Sequence, residues 1–124
     1  MTRRHGFTLI ELLVALTIVA LLLSIAAPRY VGSLDLADEA VLRENLALTR
    51  DALDKHFADT GRYPTSINEL VTKRYLRAIP TDPITRSQTT WILVAPSNPK
   101  LGLVYDLKSG AKGTGGDGRP YGQW

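Results

Sequence analysis

The stretch FTLIELLVALTIVALLLSIAAP, Phe7 to Pro28, decides the fold, and it contains one charged residue, Glu11. At a rise of 1.5 Å per residue, roughly 20 apolar residues reach about 30 Å, the hydrocarbon thickness of a bilayer. The stretch is therefore long enough to cross a membrane as a single helix. A secretory signal peptide has its parts in the same order, and Ser24-Ile25-Ala26-Ala27 looks like its small-residue cleavage site. Its apolar region is shorter, however, and carries no acid near its start. Arg3 and Arg4 precede the span and no comparable basic cluster directly follows it. That asymmetry predicts a cytoplasmic N-terminus with the rest of the chain on the far side.

A carboxylate in an apolar span costs about 2.5 to 3.5 kcal/mol at the helix centre, so Glu11 is a functional candidate. Near the cytoplasmic end it can still reach headgroups and water, which lowers that cost. Cleavage after Gly6 would remove both arginines and leave Phe7 with a free α-amino group, whose unperturbed pKa is about 7.7 to 8. Phe7 then stands one helical turn before Glu11, and the helix N-terminus itself favours an ionised carboxylate. When such helices pack side by side with a stagger, Glu11 can neutralise the amine of an adjacent chain. An unpaired charge is costly in a low dielectric, so this pairing would select the register between copies.

Beyond Pro28 the pattern remains helical to residue 58 and becomes amphipathic. Pro28 removes the backbone bond to the Ser24 carbonyl and marks a kink or a melting point. Leu34, Ala37, Val41, Leu48 and Ala52 fall on one stripe; Leu42, Leu46, Leu53 and Phe57 fall on another, about a third of a turn away. One stripe suffices for a surface helix of a globular domain. Two stripes are read either as one wide core face or as two partners, the domain's own sheet and a neighbouring subunit. The helix is expected to stop at Asp59-Thr60-Gly61, with Gly61 in the left-handed conformation.

Ser66-Ile67-Asn68-Glu69 reads as a capping box for a short helix, and Pro80 and Pro83 bracket a loop. Trp91-Ile92-Leu93-Val94 and Leu103-Val104-Tyr105 predict a hairpin with a long connection. Glycines from 108 to 122 turn the tail, and Tyr121 and Trp124 suggest that it folds back and docks. The fold class is α+β: a long N-terminal helix, half transmembrane and half amphipathic, packed on a small antiparallel β-sheet. The divisions are 1–6, a leader; 7–28, the transmembrane and assembly helix; 29–58, its amphipathic half; and 59–124, a small globular domain with a glycine-rich loop.

Composition narrows the function. Fifteen basic and 12 acidic residues give +3, and without Arg3 and Arg4 the balance is 13 against 12, a net of +1. That is no footprint for nucleic acid. With no cysteine there is no disulfide framework and no thiolate site. His5 leaves with the leader, and His56 reads as a solvated side chain beside Asp59. The glycines from 110 to 118 lack the strand and helix that flank a phosphate cradle. An enzyme is not expected.

Gly6-Phe7-Thr8-Leu9-Ile10-Glu11-Leu12-Leu13 resembles the prepilin processing motif of type IV pilins and type II secretion pseudopilins. Gly61-Arg62-Tyr63-Pro64-Thr65, Ile79-Pro80-Thr81-Asp82-Pro83 and Tyr105-Asp106-Leu107-Lys108-Ser109-Gly110 are similar to segments of the major pseudopilin of type II secretion. The resemblance implies a pilin-like fold, cleavage after Gly6 by a membrane-embedded prepilin peptidase, methylation of the Phe7 amine, and docking guided by Glu11. It implies self-association into a periplasmic filament with other pseudopilins, built from an inner-membrane assembly platform to drive protein export. A pilin or minor pilin for adhesion, motility or DNA uptake is the alternative within the same architecture. A signal-anchored periplasmic domain that never polymerises is the alternative outside it. Major pseudopilins often hold calcium in the C-terminal loop; here Asp106 and Asp117 are the carboxylates the resemblance offers, with Lys112 where an acid would help.

Overall fold

The computed structural model describes residues 5–124, with backbone alone between 29 and 34. Arg3, Arg4 and the side chain of Leu34, used in the sequence reading, lie outside the described residues. Four elements of regular structure follow in order: α1 (Leu9–Thr60), α2 (Ile67–Thr72), β1 (Ile92–Val94) and β2 (Asp106–Lys108). Short 3-10 turns occupy Pro99–Leu101 and Tyr121–Gln123. This is the α+β arrangement that the hydrophobic pattern predicts. The chain divides into two compact units, Met1–Asp35 and Leu36–Trp124, and α1 contributes to both. Pro28 lies inside α1.

In the first unit the 20 residues from Leu9 to Pro28 form the span, and none of it is buried by the chain itself. The second unit has a core built from Leu42, Leu46, Ala52 and Leu53 of α1, Ile67 and Leu70 of α2, and Trp91, Val104, Leu107 and Trp124. Of the two stripes, Leu42, Leu46 and Leu53 face this core, and Phe57 stacks on Tyr63 with ring centroids 4.5 Å apart. Val41 and Leu48 remain exposed, at 48% and 52%. Ala52, counted with them by periodicity, is buried instead. Thr49, Ala52, Leu53 and His56 are all covered, so the helix is enclosed over a wider arc towards its end.

α1 ends where expected: Gly61 takes φ +72° and its N–H donates to the Phe57 carbonyl at 2.7 Å. Ser66 caps α2 by accepting from the Glu69 N–H at 3.2 Å. The reciprocal half of the box differs from expectation, because the Glu69 carboxylate accepts from the Thr65 N–H, at 2.6 Å. Arg74 closes α2 in the left-handed region, φ +66°, with its N–H on the Val71 carbonyl.

The hairpin pairs Ile92 with Lys108, Leu93 with Leu107 and Val94 with Asp106. Its second strand begins at Asp106, so Leu103-Val104-Tyr105 leads into the strand and does not form it. The reason is a competing acceptor: the N–H groups of Leu103 and Val104 both point to the Pro64 carbonyl. The tail then folds back as expected. Gly115 and Gly118 make a tight turn, and Trp124 returns to the core. A Cβ on Gly115 would collide with the Trp124 ring at Cζ2, so glycine is required by packing there.

Candidate processing and assembly site

Thr8 and Glu11 build the start of α1 between them. The Glu11 N–H donates to Thr8 Oγ1 at 3.3 Å, and Glu11 Oε2 accepts from the Thr8 N–H at 3.4 Å. This reciprocal pair is a capping box, which satisfies two of the donors that a helix N-terminus leaves open. The first helical bond, Leu12 N–H to the Thr8 carbonyl at 3.2 Å, fixes the entry. The spacing Thr8-x-x-Glu11 was available in the sequence as a capping signal, and the reading of Glu11 as an assembly residue passed over it.

Gly6 and Phe7 precede the helix in irregular, exposed backbone, with Phe7 at 89% exposure. Among the described residues, nothing lies within 4 Å of where a Cβ on Gly6 would sit. The carboxylate of Glu11 is thus held at the first turn, four residues from the nitrogen that cleavage would free. Local geometry brings together Thr8 and Glu11, with Phe7 next in the chain.

Asp106 and Asp117 are each engaged by guanidinium groups. Asp106 Oδ1 accepts from Arg50 Nε at 2.8 Å and from the Leu107 N–H at 2.7 Å. Asp117 accepts from the Arg119 N–H at 3.0 Å and from Arg119 Nε at 2.9 Å, with Arg43 Nη2 at 3.6 Å. The Arg119 backbone N–H, and then its side chain, hold the Asp117 carboxyl below the ordinary carboxylate range. Among the described residues, no three His, Cys, Asp or Glu side chains converge. The nearby buried group without a partner, Trp124 Nε1, is a donor. A hard divalent cation wants six or more oxygens. This donor set, carboxylates already taken by arginines beside an indole N–H, does not fit calcium.

Two buried groups escaped the sequence reading. His56 is 2% exposed, not solvated: Gly61 turns the chain so that His56 Nδ1 donates to the Arg62 carbonyl at 2.7 Å, and Lys73 Nζ approaches Nε2 at 3.4 Å. Asp82 is fully buried, accepting from Ser109 Oγ at 2.5 Å and from the Ile84 N–H at 2.9 Å. Both act as staples between segments.

An apolar anchor with a capped glutamate in its first turn, carrying a small α+β domain, defines a pilin-like class of membrane-anchored subunit. Residues 1–27 match the family profile described as the prokaryotic N-terminal methylation motif. The chain is 31% identical over 134 residues to the type II secretion system core protein G of Vibrio cholerae serotype O1, covering 99% of this chain and 88% of that one. It is 29% identical over 137 residues to the protein of the same name from Klebsiella michiganensis, covering 98% and 93%. With that of Dickeya chrysanthemi it shares 30% over 107 residues, covering 86% and 69%. No solved structure matches the chain. It belongs to the family of the type II secretion system core protein G, the major pseudopilins.

Proposed function

We propose that the chain is a structural subunit of a type II secretion pseudopilus, polymerising through its N-terminal helix to drive protein export. The observation that carries this reading is the span itself: 20 largely apolar residues, none of them buried by the chain, with a carboxylate in a capping box in its first turn. Apolar surface of that extent must be covered by lipid or by copies of itself. Moving from one to the other exchanges one low-dielectric environment for another, so the transfer is not opposed by a hydrophobic cost. Val41 and Leu48, exposed on the amphipathic half, supply a second strip for neighbouring subunits.

In this reading residues 1–6 are a leader, a prepilin peptidase cuts after Gly6, and the new Phe7 amine is methylated. Glu11 then exchanges its Thr8 N–H for the amine of an adjacent subunit. Before assembly the chain sits in the inner membrane as a single-pass protein with its N-terminus in the cytoplasm and its domain in the periplasm. Its partners are other copies, other pseudopilins and the inner-membrane assembly platform. The chain performs no catalysis. The names of its relatives favour secretion over the pilus alternative and over a domain that never polymerises.

The test is shearing of cells followed by detection of the protein in filaments, with wild type against Glu11→Ala and Glu11→Gln. Both variants are expected to remain in the membrane and to vanish from the sheared fraction. Wild-type filament yield from Glu11→Ala would overturn the role given to the carboxylate.

A further inference from the structure

The apolar stripes of α1 account for its core contacts, but a third stripe, Glu39, Arg43, Leu46 and Arg50, has a different partner. The spacing i, i+4, i+7, i+11 places these four residues on one face of a helix with 3.6 residues per turn. Each meets the C-terminal segment. Glu39 is 8% exposed and its Oε1 accepts from the Gly116 N–H at 2.8 Å and from the Tyr121 hydroxyl at 3.1 Å. The Arg43 guanidinium carbon lies 4.5 Å from the centroid of the Trp124 ring. Leu46 is buried in the core that also holds Trp124.

Arg50 makes the decisive set of contacts. Its Nε donates to Asp106 Oδ1 at 2.8 Å, and its Nη2 donates to the main-chain oxygens of Leu107 at 3.2 Å and Trp124 at 2.7 Å. One guanidinium thus gathers a carboxylate and two main-chain oxygens from Asp106, Leu107 and Trp124. Carboxylate and carbonyl oxygens are the ligands that a calcium ion would collect. Here the cation is covalently part of α1. With Arg43 and Arg119 beside Asp117, three guanidinium groups face two aspartates. A divalent ion would enter a neighbourhood whose carboxylates are already neutralised, and like charge repels it.

We infer that the C-terminal segment is latched to α1 by the protein's own cation, Arg50, supported by Arg43 and by the Glu39 clasp, and that it docks without calcium. The mismatch between these residues and a calcium site follows from that substitution. The latch is electrostatic at one end and a buried acceptor at the other, about three helical turns apart.

The test uses the full chain in detergent micelles and reads trypsin cleavage after Lys112, which Gly113 follows, together with thermal unfolding. Wild type is expected to show the same cleavage rate and Tm in millimolar calcium chloride as in chelator. Arg50→Gln is expected to speed tail cleavage roughly tenfold or more in both conditions, as loss of hydrogen bonds from a charged donor implies. Arg50→Lys, which keeps the charge but not the fork, should fall between them. If Arg50→Gln does not fold, the wild-type calcium comparison decides alone. A wild-type tail protected by calcium, or an Arg50→Gln tail as resistant as wild type, would overturn the inference. Filament formation enters neither readout, so this result is independent of the pseudopilus proposal.

Discussion

Leu16 and Leu53 belong to the same helix and the same residue type, yet one is 57% exposed and the other 0%. Up to Pro28, α1 buries nothing within the chain, and beyond Leu36 it forms one wall of a core. Helix propensity does not separate the two stretches, since leucine is favourable in both. What separates them is the partner. In the second unit the hydrophobic effect is spent inside the chain, whereas in the span it is left for whatever surrounds it. A helix that spends only its second half on a core leaves the second unit able to fold whatever covers the span.

The largest effect that would sharpen this contrast is on stability. Leu53→Ala is expected to destabilise the second unit by about 2 to 5 kcal/mol, the range for truncating a buried leucine. Leu16→Ala should change it by less than about 0.5 kcal/mol. Denaturant unfolding of the full chain in micelles, followed by Trp91 and Trp124 fluorescence, measures both. Equal losses would break the comparison.

A smaller effect comes from acid. Lys73, then the Thr65 N–H, lower the Glu69 pKa from 4.5 to about 2. A carboxyl depressed on folding contributes stability that is present above its ordinary value and is lost as pH falls towards the folded one. The second unit should therefore weaken between about pH 4.5 and pH 2, by roughly 1 kcal/mol once solvent screening of this partly exposed pair is allowed for. Glu69→Gln should flatten that part of the pH profile, as read by Tm against pH. The smallest change in stability is expected for Leu48→Ala, within about 0.5 kcal/mol because Leu48 is exposed. The same substitution should reduce the yield of sheared filaments, which would assign its strip to contacts between subunits.

Much of this was legible in local sequence. The span announces itself by length and apolarity, the end of α1 by Gly61, the start of α2 by Ser66, and the docked tail by its terminal aromatics. Local signals failed where distant segments compete for one group. Pro64 draws the N–H groups of Leu103 and Val104 out of the hairpin, and no pattern near 103 reveals it. His56 looks solvated by periodicity and becomes buried when the chain turns at Gly61 and brings the Arg62 carbonyl over its ring. The Glu39 and Arg50 contacts join residues 56 to 82 apart. A hydrophobic periodicity weighs only apolar positions, so it says nothing of Glu39, Arg43 and Arg50, which meet the tail. At the N-terminus the opposite held: the assembly reading of Glu11 was drawn from its charge, and its second role as helix cap lay three residues from Thr8 in plain view.

The central claim is that clipping a basic head from an apolar rod converts a membrane anchor into an assembling subunit. Intact-mass spectrometry of the protein purified from its native host tests it most directly. The account predicts a chain starting at Phe7 with a methyl group on its amine. A mass that retains residues 1–6 would contradict it.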